Sequence, residues 1–166
     1  MTVAELRAAQ TPLKQQYREH PASALVTLHA KGEAADNFRC RVETHIGPVD
    51  AGLHPATGGD GREACSGDML LQALVACAGV TLSAVAGAMG IHIRRATLTA
   101  EGELDFRGTL GVAKEAPVGF TKILLWIALD SDATEEQGTK LLELTERYCV
   151  VYQTLRAGVT VETAFR

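Results

Sequence analysis

Apolar and polar residues follow three different rhythms along this chain, and the longest stretch has almost no polar face. From Met69 to Met89 no side chain is charged, and alanine, glycine, leucine and valine dominate. This length without a strict two-residue alternation predicts a helix. Its limits are legible: Ser66 as N-cap, Asp68 in the positively polarised first turn, and Gly90 at the left-handed stop. Two segments alternate with period two, Ala24 to Lys31 and Phe38 to His45. The turn-prone Gly32 to Asn37 between them predicts an antiparallel hairpin. In its second strand Phe38, Cys40, Val42 and Thr44 share one face, and Arg39, Arg41, Glu43 and His45 the other.

The remaining pattern alternates strand and helix. Gly47 to Arg62, with Pro48, Pro55, Gly58, Gly59 and Gly61, reads as a loop. Ile91 to Phe106 reads as a strand bent around Gly102, and Gly108 to Gly119 as a loop long enough to cover a site. Phe120 to Leu129 is β-branched and aromatic enough for a buried strand. Asp132 with Glu135 predicts the cap of a second helix running through Leu141, Leu142, Leu144 and Tyr148 to about Leu155. Val159 to Phe165 alternates as a closing strand. At the other end Thr2 to His20 is charged and helix-compatible, with Pro21 marking its end. The order predicts an α+β fold, one domain over residues 1–166 with residues 1–20 as a peripheral helix.

A helix apolar on every side must be buried on every side. Met69–Met89 has the length of a membrane span, but Gln72, Gly79, Thr81, Ser83 and Gly87 dilute it, so a place inside protein is the better reading. A chain of 166 residues hardly surrounds such a helix alone, and a second subunit is expected to complete the burial.

Charge narrows the partners. The formal net charge is −4 and no run of Lys and Arg stands out, which argues against nucleic acid. Charges in Met-Thr-Val-Ala-Glu-Leu-Arg occupy the place of a signal sequence's apolar core, so a cytoplasmic protein with reduced thiols is expected. There, the four cysteines read as buried, metal-binding or redox-active and not as a disulfide framework. No Cys-x-x-Cys or His-x-x-x-His spacing supports a metal site from Cys65, His45, His54 or His92. Ser66-Gly67 is not a hydrolase elbow, and Gly58-Gly59-Asp60-Gly61 lacks the lysine and spacing of a nucleotide loop. Cys40 reads as a packed core thiol. Cys65, just ahead of the long helix, reads as a loop residue or an alternative resolving thiol. Cys77 inside the long helix and Cys149 in Glu-Arg-Tyr-Cys-Val-Val-Tyr-Gln-Thr-Leu are the strongest candidates for chemistry, because a thiol oxidised to a sulfenic acid needs a second thiol to resolve it.

The stretch from Gly58 through Ser66-Gly-Asp-Met-Leu-Leu-Gln-Ala-Leu-Val-Ala-Cys77, with Tyr148-Cys149-Val-Val-Tyr-Gln-Thr-Leu155, resembles the osmotically inducible protein C and organic hydroperoxide resistance (OsmC/Ohr) family. Asp105-Phe-Arg-Gly-Thr-Leu-Gly111 and Pro117-Val-Gly-Phe120 fall between the two motifs as in relatives. The resemblance implies an intertwined homodimer, antiparallel sheets around two central helices, with sites at the subunit interface. It also implies cofactor-free reduction of organic hydroperoxides, Cys77 attacking the O–O bond, Cys149 resolving, and a thiol or dithiol reductant regenerating both. In the family a glutamate opens the central helix, an arginine on an early strand joins it to hold the thiolate, and a proline follows the second cysteine. Gly67 occupies the glutamate's place here, Asp68 is the nearest carboxylate, and Val150 replaces the proline. Arg39, Arg41 and Arg107 are the candidate arginines, and Tyr148 and Tyr152 the candidate pocket walls. The alternative is a non-catalytic dimer of the same fold that binds a small apolar or thiol-bearing ligand.

Overall fold

The computed structural model describes residues 1–165. Helix α1 (Val3–Glu19) opens the chain with a capping box in which Thr2 and Glu5 satisfy each other's backbone N–H groups. It has no buried residue and touches the long helix where Val3 lies over Gly87.

A four-stranded sheet follows in the order β1 (Gly32–Ala35), β2 (Arg39–Val42), β3 (Val49–Gly52), β4 (Ala64–Cys65). The pairs are antiparallel, apart from a short parallel bridge between β3 and β4. Here the expected hairpin is displaced. The turn tightens to Asp36–Phe38, with Asn37 and Phe38 at φ 69° and 60°, so Gly32–Ala35 becomes the strand that pairs with β2. Leu25 to Leu28, expected in that strand, has no ladder partner, and Leu25, Val26 and Leu28 stand 71–87% exposed. The expected loop Gly47–Arg62 also contains β3, whose Ala51 pairs with both Cys40 and Ala64. Short apolar content hid that strand.

Helix α2 (Ser66–Met89) is the central element. Cys65, still paired to Gly52 of β3, takes the N-cap position and Ser66 enters the helix, one residue earlier than expected; Gly90 ends it at φ 73°. Leu74, Ala78, Leu82 and Ala86 form one buried stripe at i, i+4 spacing. The stripe lies on a two-stranded antiparallel sheet of β5 (Ile93–Leu104) and β6 (Phe120–Ser131), whose inward positions Ala96, Leu98, Ala100, Ile123, Leu125, Ile127 and Leu129 pack against it. Gly102 is a site of close approach beside a ladder irregularity at Glu103 and Leu104: the Phe120 ring covers it so tightly that a Cβ would fall 2.4 Å from a ring carbon. Between the strands, Asp105 caps the single turn of α3 (Phe106–Thr109).

Helix α4 (Glu135–Tyr148) starts from a Thr134/Gln137 capping box in place of the expected Asp132 and Glu135, because Asp132 is occupied in accepting the His92 N–H at 2.8 Å. The expected single helix to Leu155 is two helices. It breaks at Cys149, and α5 (Val150–Ala157) restarts at once. Gly158, at φ 69°, ends α5, and Val159–Phe165 runs on without the ladder expected of a closing strand.

By length and composition α2 is long and apolar enough to cross a membrane. It lies instead on β5 and beneath α4 and α5. Outside its buried stripe much of it is open, and Val80 is 73% exposed.

Candidate functional site

The break between α4 and α5 brings the two thiols together. Cys149 has extended backbone angles, φ −75° and ψ 109°, so it ends one helix and caps the next. Its N–H still bonds to the Thr145 carbonyl and its own carbonyl accepts from the Gln153 N–H, both at 3.0 Å. The Gln153 side chain ties α5 back to α4 by donating to the Glu146 carbonyl at 2.8 Å. Underneath, Thr145 is buried with its hydroxyl satisfied by the Leu141 carbonyl at 2.7 Å. The break is thus braced on both sides.

Cys149 is 1% exposed and packs with Leu74 and Ala78 of α2; Cys77, one turn beyond Leu74, lies against this cluster and keeps partial access to solvent. The two thiols belong to one packed cluster and each acts on the other's acidity. Both also draw on the first N–H groups of α5. The Tyr152 N–H reaches the Cys149 sulfur at 3.5 Å, while those of Val150 and Val151 point to Cys77. A helix start carries unsatisfied donors and positive partial charge, and two sulfurs consume both here.

The electrostatic result is asymmetric. Partial burial pushes the Cys77 thiol up, but the Val151 N–H, the Cys149 S–H, the Val150 N–H and the Thr81 hydroxyl together outweigh it, leaving Cys77 below the ordinary thiol range. Cys149 moves the other way: burial raises it, and so do the hydrogen bond to Cys77 and that sulfur's charge, against the weaker pull of the Tyr152 and Val151 N–H groups. One sulfur is poised to carry negative charge and its neighbour to keep a proton.

The expectation that an arginine activates Cys77 is not met within the subunit, where backbone and side-chain donors lower it. Cys77 lies too deep in α2 for that helix's own dipole; the N-terminus that serves it belongs to α5. Arg39 is ion-paired with the mostly buried Glu63, and Arg107 binds back to Asp105, its Nε 3.0 Å from the carboxylate. Asp68 lines separate hollows with Leu71 and Gln72, and nine residues of unbroken helix put it about 13 Å along α2 from Cys77. Tyr148 is 58% exposed with the Arg147 guanidinium over its ring, whereas Tyr152 is the tyrosine beside the thiols. The structure therefore brings together Cys77 and Cys149 and leaves Asp68, Arg39, Arg107 and Tyr148 apart from them within one chain. Sequence reasoning missed Thr81, four residues after Cys77 on α2, and the donor role of Val150; the i, i+4 spacing of the first was the available signal. It missed Glu63 too.

Cys40 is half-buried under Gly32, and Cys65 lines a hollow with His54, Leu104 and Phe120 near the α2 start. Among the described residues no three His, Cys, Asp or Glu side chains gather as a metal site. A cavity of about 330 Å³ opens beside the thiol cluster, and Leu74, Ile123, Leu125, Tyr152 and Leu155 belong to both.

The family model described as "OsmC-like protein" matches residues 59–164. No curated protein matches the chain in sequence. Among solved structures, an OsmC-like protein from Mycoplasma pneumoniae superposes with a TM-score of 0.67 at 16% identity, over 80% of this chain and 89% of that one. The organic hydroperoxide resistance protein OhrB of Bacillus subtilis gives 0.54 at 19%, over 82% and 95%. An organic hydroperoxide resistance protein OsmC from Legionella pneumophila, described as a predicted redox protein, gives 0.57 at 20%, over 82% and 93%. At these identities the likeness is one of fold.

Proposed function

The chain belongs to the OsmC-like family, and from that premise we propose that it is a homodimeric, thiol-dependent peroxidase that reduces organic hydroperoxides through Cys77 and Cys149. The observation that carries this reading is the packing of two thiols in one cluster at the start of α5, with their acidities moved in opposite directions. Two solved structures of the fold belong to organic hydroperoxide resistance proteins, which supports the substrate class.

The geometry suits a balanced two-step reaction. The Cys77 thiolate attacks the terminal oxygen of the hydroperoxide; an S–O bond forms as the O–O bond breaks, and the alkoxide leaves. Cys77 is thereby oxidised by two electrons to a sulfenic acid. The alkoxide takes the proton held on Cys149, whose thiolate then attacks the sulfenic sulfur, forming the disulfide and expelling hydroxide. A dithiol reductant returns the disulfide to two thiols by exchange. Because both thiols already lie in one packed cluster, no large rearrangement has to precede resolution.

The dimer reading rests on apolar surface. Val80 on α2, Leu25 to Leu28, and Val159 to Phe165 are exposed in one chain, and among the described residues β1 to β3 make no extensive packing with a helix of their own subunit. Surface of this kind marks an interface. A second subunit would also offer the Arg39–Glu63 pair as a replacement for the arginine and glutamate pairing of relatives, given Gly67 in the glutamate's place.

The test is direct. One equivalent of an organic hydroperoxide should produce, in intact mass and peptide maps, a Cys77–Cys149 disulfide in wild type. Cys149→Ser should stop at a trappable sulfenic acid, and Cys77→Ser should consume no peroxide. Thiols that stay free in wild type would sink the peroxidase and favour a binding protein of the same fold.

A further inference from the structure

Nothing in the covalent chain forces the break at Cys149. Arg147 to Leu155 holds neither proline nor glycine, so every residue has an N–H with which to continue α4. In an unbroken helix the Val150 N–H would donate to the Glu146 carbonyl, that of Val151 to Arg147 and that of Tyr152 to Tyr148. Among the described residues none of these bonds is present, because Cys149 is extended. The freed donors are the ones that serve the thiols: the Tyr152 N–H reaches the Cys149 sulfur at 3.5 Å, and those of Val150 and Val151 act on Cys77. They are available to sulfur only while the helix stays broken.

In exchange the carbonyls of Glu146, Arg147 and Tyr148 lose their helical partners, and the three are not equivalent. Arg147 and Tyr148 are exposed, so water can reach theirs. Glu146 is half-buried, where a backbone acceptor without a partner is costly. Its substitute donor is the Gln153 side chain, whose Nε2 lies 2.8 Å from the Glu146 oxygen. The main-chain N–H of the same residue holds the Cys149 carbonyl at 3.0 Å. One residue thus fastens both sides of the break. We propose that Gln153 is a positioning residue for the thiol pair: its amide gives the Glu146 carbonyl the donor that a continuous helix would take from Val150, and so keeps the Val150 and Val151 N–H groups on Cys77. It acts through the backbone and not on the sulfurs. Its bearing on turnover rests on the peroxidase reading above; its effect on thiol reactivity does not.

Gln153→Met removes the donor while keeping side-chain length and helix preference. Cys77 alkylation by iodoacetamide, read by peptide mapping across pH, should shift to a higher midpoint and slow about three- to tenfold at neutral pH. Of the groups that act on Cys77, Cys149 alone titrates, and the substitution leaves it in place. A general loss of stability is separated by a double-mutant cycle with Val150→Pro, in which residue 150 has no N–H to return to Glu146 whether or not the amide is there. In that background Gln153→Met should add no further shift. An equal shift in both backgrounds, or none in wild type, would overturn the assignment. Hydrogen exchange supplies a readout that needs no thiol chemistry: the Val150 amide should exchange more slowly in Gln153→Met than in wild type, as it returns to the Glu146 carbonyl. Unchanged or faster exchange would refute the role. Each readout stands in a protein that consumes no peroxide, so its failure is distinct from failure of the peroxidase.

Discussion

A proline cannot donate a hydrogen bond, and the residue after Cys149 is a valine whose N–H is spent on the Cys77 sulfur. Proline is well tolerated at the first position of a helix, and the extended backbone of Cys149 is the conformation that precedes proline. Val150→Pro should therefore preserve the fold and raise the Cys77 pKa. The sign is fixed by the charged form. Donors stabilise the thiolate, so Cys77 ionises at lower pH than a free thiol, whose midpoint is about 8.5. Its alkylation by iodoacetamide should climb with pH to a plateau reached earlier than for an ordinary cysteine. Val150→Pro, Cys149→Ala and Thr81→Val should each move that midpoint upward and slow alkylation at neutral pH by about two- to tenfold. A midpoint indifferent to all three would mean that the thiolate is held by something else.

Among elements, α2 and β5 hold glycines with opposite consequences. At Gly67 a Cβ would meet Phe120, Cys65 and Leu104 at 3.5–3.8 Å, ordinary contact, so Gly67→Ala should stabilise the helix start by about 0.5 kcal/mol. At Gly102 of the neighbouring strand the Phe120 ring fills the space, and Gly102→Ala should cost about 1–3 kcal/mol in urea unfolding. Leu141, fully buried between α4 and the α2 stripe, should cost about 3 kcal/mol as Leu141→Ala. The helices also mark how local sequence fared. Gly90 ended α2 as read, because a left-handed stop is a property of one residue and its backbone. The break at Cys149 was not legible: without proline nothing in Arg-Tyr-Cys-Val-Val-Tyr signals it, and it is braced by Thr145, Glu146 and Gln153 through bonds that exist only after folding.

On the scale of the whole molecule, the open apolar face of α2 and the unpaired stretches on either side of the fold belong to a chain that is expected to associate. Sedimentation of wild type should give a species of two chains at micromolar concentration. Val80→Glu, placed where the proposed partner covers α2, should shift it toward one chain and lower its thermal midpoint by several degrees. A wild type that sediments as one chain would refute the dimer.

Legible from residue order alone is what one residue or one period can carry: the long apolar helix and its stop, the two long strands, the α+β order, and the two cysteines whose surroundings resemble the OsmC/Ohr family. Even the misplaced hairpin was right in kind, since alternation names a strand without naming its partner. Which backbone groups serve which sulfur is fixed by folding. Cys77 and Cys149 are 72 positions apart in the chain, and the donors that separate their acidities come from a helix start created by the break at Cys149. Acidity is set by the distance to donors and by the exclusion of water, and neither quantity exists before the chain has folded.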